Sequence, residues 1–132
     1  MELHLKIIGV LLIGLAAMHI PFPHRFQWKK ELTSLSLLNR EMMYVHTLFV
    51  ALTILLIGLL CLTSANDLVN TPLGKRISLG LAIFWGTRLF VQFFGYSSEL
   101  WRGKTFETII HILFSILWTY ITAVFAAAWM AA

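Results

Sequence analysis

The stretch ISLGLAIFWGTRLFVQFFGY, residues 77–96, decides how the chain is read. It matches the length of about 20 apolar residues that a helix needs to cross a bilayer core, and one guanidinium, Arg88, sits well inside it. A charge at such depth costs roughly 3 kcal/mol on insertion scales, and more by simulation, unless it meets a partner or water. Intramembrane charges are functional by default. The same twenty residues therefore predict a transmembrane helix and a site on it.

Three further apolar runs flank this one: Ile7–Met18, Met42–Thr63 and Ile109–Ala132. Arg88 is the only formal charge inside any of the four. The 132 residues are 59% hydrophobic and 12% charged, with a mean hydropathy of +0.83. Soluble domains carry about 25% charged residues, so half that fraction points to lipid as the solvent. The expected fold is an all-α integral membrane four-helix bundle, a single transmembrane domain over residues 1–132, with spans near 3–22, 42–63, 77–96 and 107–131. The first run reaches span length only if it extends from Leu3 to Phe22, with Lys6 snorkelling to the interface. A retained helix is expected there rather than a cleaved signal peptide, because the small residues Gly14, Ala16 and Ala17 lie inside the run instead of after it.

Between the first two spans, Pro21 and Pro23 end the helix. His24–Arg40 then interleaves polar and apolar residues, with Trp28 beside Lys29 and Lys30, which predicts a short amphipathic helix at the interface. Ser64–Asp67 and Asn70–Gly74 read as loop. So does Tyr96–Thr105, with Trp101 as a second interface anchor. Arg25, Lys29, Lys30 and Arg40 lie in the first connection, and Arg102 and Lys104 in the third. Only Lys6, Lys75 and Arg76 face the other side. This bias places both basic connections in the cytoplasm and both termini outside, in a multi-pass protein of a bacterial inner (plasma) membrane.

The net charge of +4 is explained by membrane anchoring and needs no nucleic-acid partner. The one cysteine, Cys61, excludes an intrachain disulfide framework and reads as a small packing residue. A faint internal echo links His46-Thr-Leu-Phe49 to His111-Ile-Leu-Phe114, and in residues as common as these chance is the simpler source.

The polar residues of the spans gather at one end. At about 1.5 Å per helical residue, His46 and Gln92 each lie about 6 Å inside their span ends, and Arg88 about 12 Å. His111 follows Glu107 by one helical turn, and His19 precedes the proline break. Spacing assigns faces: Trp85, Arg88 and Gln92 share one side of the third span, and Glu107, His111, Ser115, Trp118 and Thr122 one side of the fourth. Such faces belong inside the bundle, since polar groups are not left in hydrocarbon. A ligand site is expected from Arg88, Gln92, His46, His111 and Trp85. The plainer roles are helix capping for His19, interhelical packing for His46 and His111, and a helix-dipole role for Glu107.

Three functions fit this pattern. The first is binding of an anionic lipid or small anion, with Arg88 as counter-ion. The second is a metal held by His46, His111, His19 and Glu107, or a haem between His46 and His111, which opens oxidoreductase or metalloenzyme chemistry. The third is a proton relay in a small transporter subunit. The anion reading is preferred, because no compact metal motif is present and no span is broken by proline at mid-depth. The sequence does not settle whether the chain is an enzyme. Membrane lipid is an expected partner, and a second copy of the chain or a partner membrane subunit is an expected means of burying Arg88.

Overall fold

The computed structural model describes residues 1–20, 30, 32–94 and 105–131. Among these, every regular element is helical. Helix α1 is Glu2–Met18, followed by a 3-10 turn at Leu32–Ser34. Then come α2 at Leu37–Thr63, α3 at Ala65–Asn70, α4 at Pro72–Phe94 and α5 at Thr105–Met130. Three of them, α2, α4 and α5, are long and apolar enough to cross a membrane. Helix α1 has 17 residues, which at 1.5 Å each span about 26 Å, short of the roughly 30 Å hydrocarbon core.

The start of α2 is set by a capping residue rather than by hydropathy. The Asn39 backbone N–H donates to Ser36 Oγ at 3.3 Å, and the Arg40 N–H to the Ser36 carbonyl at 3.0 Å. Ser36 thus satisfies donors that the first turn leaves open, and the helix begins ahead of the apolar run at Met42. Within the stretch expected to form an interfacial helix, Lys30 is helical, Leu32–Ser34 form a 3-10 turn, and α2 begins at Leu37. The rest of it lies outside the described residues, as do the Pro21–Pro23 break, the connection after Phe94, the anchors Trp28 and Trp101, and Arg25, Lys29, Arg102 and Lys104.

The loop expected over Ser64–Asp67 and Asn70–Gly74 is instead a short helix joined tightly to a long one. Thr71 serves both. Its N–H and Oγ1 both donate to the Asp67 carbonyl, at 3.1 and 2.7 Å, closing α3. The same Oγ1 accepts from the Gly74 N–H at 2.9 Å, opening α4. Pro72 occupies the first helical position of α4, where its missing donor loses nothing. Ser78, fully buried, then ties α4 to α3 by donating to the Leu68 carbonyl at 3.0 Å.

The chain divides into two compact units, Lys6–Thr63 and Met1–Leu5 with Ser64–Ala132. In the first, α1 and α2 approach backbone to backbone at two glycines. A Cβ on Gly58 would lie 2.9 Å from the Gly9 carbonyl oxygen, and one on Gly9 would lie 2.8 Å from that of Gly58. Lipid supplies no hydrophobic drive between helices, so close small-residue contacts of this kind hold them. Gly58→Ala is expected to lower stability by up to about 2 kcal/mol, a packing loss of about 1–3 kcal/mol offset by a helix-propensity gain of about 1 kcal/mol. The thermal midpoint in detergent checks this against Gly14→Ala, whose Cβ would meet nothing within 4 Å.

In the second unit, α4 and α5 run antiparallel. Lys75 near the start of α4 donates to the Ala131 carbonyl at the end of α5, while Gln92 near the end of α4 meets His111 near the start of α5. The core between them holds Trp85, Trp118, Ile121, Phe125 and Ala128, all buried.

Candidate functional site

The site grows from the one face of α4 that carries Trp85, Arg88 and Gln92. Arg88 lies six residues before the α4 end at Phe94, about 9 Å along the axis. Its Nη1 donates to Gln92 Oε1 at 3.3 Å, a one-turn link on the same face. Gln92, only 6% exposed, reaches across to α5, where its Nε2 lies 2.8 Å from His111 Nδ1.

The chemistry of the partners fixes the direction of this chain. A guanidinium can only donate, so the amide oxygen must face Arg88 and the NH2 must face His111. His111 Nδ1 therefore accepts, and the ring proton of the neutral imidazole sits on Nε2. Phe93 meets the same ring edge-on at a centroid distance of 6.1 Å.

Arg88 also lies over aromatic surface. Its Cζ is 5.0 Å from the centroid of Trp118, a cation–π contact worth about 2 kcal/mol when desolvated. Trp118 stacks on Trp85 at 5.1 Å and 16°, and on Phe114 at 5.5 Å and 15°. Trp85 and Trp118 are 2% and 4% exposed.

Three buried polar atoms at this contact have no hydrogen-bond partner: Trp85 Nε1, Trp118 Nε1 and Thr122 Oγ1. Thr122 follows Trp118 by one turn on α5, and its Cγ2 packs 3.6 Å from where a Cβ on Gly86 would stand. It departs from the habit of the other span hydroxyls. Thr47, Thr53, Thr87, Ser115 and Thr119 each donate to the carbonyl four residues back at 2.7–2.9 Å, the usual way to satisfy a hydroxyl in lipid. An unmet buried polar group costs about 1–3 kcal/mol, so three at one contact call for an explanation.

Of the residues expected at the site, Trp85, Arg88, Gln92 and His111 are brought together by α4 and α5. Glu107 is exposed in the first turn of α5, the position that suits a carboxylate at a helix N-terminus. His46 and His19 belong to the other unit. His46 is exposed on α2, and His19 Nδ1–H donates to the Leu15 carbonyl at 2.8 Å, capping the end of α1. Neither unit gathers three His, Cys, Asp or Glu side chains in a group that could hold a metal ion, among the described residues. Trp118 and Thr122 are the site residues to which sequence reasoning gave no site role. Both stand on the α5 stripe with His111, and that shared stripe was the available signal.

Comparison with protein-family models, with curated proteins and with solved structures finds no match to the chain. The functional reading therefore rests on the geometry of this contact alone.

Proposed function

We propose that the chain is a small membrane protein that binds an anionic ligand, a lipid or a small anion, at the α4–α5 contact around Arg88. In this reading α1 is a fourth, short span, the helices form a bundle, and the termini face outward across a bacterial inner membrane. The supporting observation is a cluster of buried donors beside a guanidinium. The Arg88 guanidinium donates to Gln92 Oε1 and lies over the Trp118 ring, and the Trp85 and Trp118 indole N–H groups and the Thr122 hydroxyl at the same contact are buried without a hydrogen-bond partner. A site of this composition is complementary to oxygen-borne negative charge, which strengthens every donor it meets.

The reading is tested by thermal unfolding of the detergent-purified protein with phosphatidylglycerol, oleate or phosphatidylcholine added. An anionic ligand at a hundredfold excess over its Kd is expected to stabilise the wild type by about 2.7 kcal/mol. Arg88→Gln should insert and purify normally and lose that stabilisation. Equal stabilisation of both proteins, or equal effects of charged and zwitterionic lipid, would remove Arg88 from the binding role.

A further inference from the structure

We infer that the groove between the start of α1 and the end of α2 is a phospholipid site: it takes one acyl chain of a glycerophospholipid, and the Lys6 ammonium takes the phosphodiester. The groove holds about 310 Å³ and is lined by Lys6, Ile7, Val10, Leu11 and Leu62, a volume at the lower end of the roughly 300–1,000 Å³ of ligand sites. It belongs to the unit Lys6–Thr63 and stands apart from the site at Arg88. From the reading above it takes only the place of α1 as a short span. Three observations choose this occupant.

The first is the order of the lining. A Cβ on Gly9 would touch Gly58 and Leu62, whereas one on Gly58 would touch Gly9 and Ile13. Helices α1 and α2 therefore run antiparallel, and the start of α1 lies level with the end of α2. Lys6 is the outermost lining residue on α1. Val10 and Leu11 follow four and five residues further in, about 6–8 Å along the axis. A cation above a hydrocarbon-lined crease matches the order in which a phospholipid presents its phosphate and its chain.

The second is the position of Lys6. With 17 residues, α1 covers about 26 Å of a roughly 30 Å core, and a bilayer thins around a helix that is too short for it. Thinning brings the lipid phosphates down toward Lys6, whose exposed side chain extends to meet them. Glu2, one turn nearer water, is exposed as well. An exposed pair at that spacing is weak and leaves the ammonium open to a phosphate. None of the five lining residues is acidic.

The third is shape. Helices associate in lipid where small residues let their backbones approach, and Gly9 and Gly58 are already used by the α1–α2 contact itself. The groove beside them is walled by the branched side chains of Ile7, Val10, Leu11 and Leu62. Such a wall suits a flexible alkyl chain better than the ridge of another helix.

The test counts lipids on the full-length protein by native mass spectrometry. The protein is incubated in detergent with dioleoylphosphatidylcholine, or with dioleoylglycerol, which keeps both chains and lacks the phosphate. One phosphatidylcholine per chain is expected, with dioleoylglycerol held about 5-fold more weakly, the size of one lysine's attraction to lipid charge at a membrane surface. Lys6→Gln should lower phosphatidylcholine retention by the same factor and leave dioleoylglycerol unchanged. Val10→Trp, which fills the groove from an exposed position, should lower both at an unchanged thermal midpoint. Arg88→Gln should change neither, so the two sites are counted apart. Equal phosphatidylcholine retention by the wild type and Lys6→Gln would overturn the proposal, as would retention untouched by Val10→Trp. A lipid-free dimer that is lost in Val10→Trp would assign the groove to a second copy of the chain and overturn it too.

Discussion

Trp118→Ala is expected to destabilise the protein by about 3–5 kcal/mol, the range for removing a buried large aromatic side chain. The ring is 4% exposed and stacks on Trp85 and on Phe114. Its loss opens a cavity where lipid offers no compensating collapse, and it strips Arg88 of its cation–π surface. Trp118→Phe makes the sharper comparison. It keeps a ring at the contact but deletes an indole N–H that has no partner. Deleting an unmet donor relieves part of its burial penalty, so the phenylalanine variant should stay within about 1.5 kcal/mol of wild type and still bind the anionic ligand more weakly. Such a split is the signature of a group kept for binding at a cost to the fold. Unfolding in detergent and ligand titration of the two variants check it. A parallel fall of stability and binding in Trp118→Phe would make Trp118 a packing residue only.

The second large effect is at Gly74. A Cβ there would stand 1.6 Å from the Asp67 carbonyl oxygen and 2.7 Å from Leu68 Cα. Both are backbone atoms, so no side-chain rotation relieves the clash, and α3 must part from α4. The same movement strains the Thr71 hydrogen bonds that close one helix and open the next. Gly74→Ala is expected to lose about 3 kcal/mol or more, the upper end of overpacking penalties. Gly80→Ala, on the same helix with nothing within 4 Å of its Cβ position, should be neutral or gain up to about 1 kcal/mol from helix propensity. Comparison of the two midpoints isolates the close approach from the intrinsic effect of losing a glycine. Equal midpoints would show that the α3–α4 junction tolerates a side chain.

The long helices were legible because lipid imposes length and apolarity together, and residues 37–63, 72–94 and 105–130 satisfy both. Their ends were not, because capping sets them. Ser36 begins α2 ahead of its apolar run, and Thr71 with Pro72 turns an expected loop into a helix junction. The spacing of Trp85, Arg88 and Gln92 gave their common face directly, since helical periodicity decides that much. It also placed Trp118 and Thr122 on the face of α5 with His111. What spacing could not give was the partner of each group. Trp118 reads as an apolar ring until the guanidinium is seen against it, and Thr122 reads as another back-bonded hydroxyl until its neighbours are compared. The direction of the Arg88–Gln92–His111 chain likewise followed only from contacts, through the donor-only nature of arginine. The His19 hydrogen bond to the Leu15 carbonyl likewise became visible only in the contacts.

The most direct test of the Arg88 site is native mass spectrometry of the protein and of Arg88→Gln, each released from detergent after incubation with oleate and with phosphatidylglycerol. One anionic amphiphile per chain retained by the wild type, and lost from Arg88→Gln at equal folded yield, is the result expected. Equal retention by both proteins, or none by either, would contradict an anion site at Arg88.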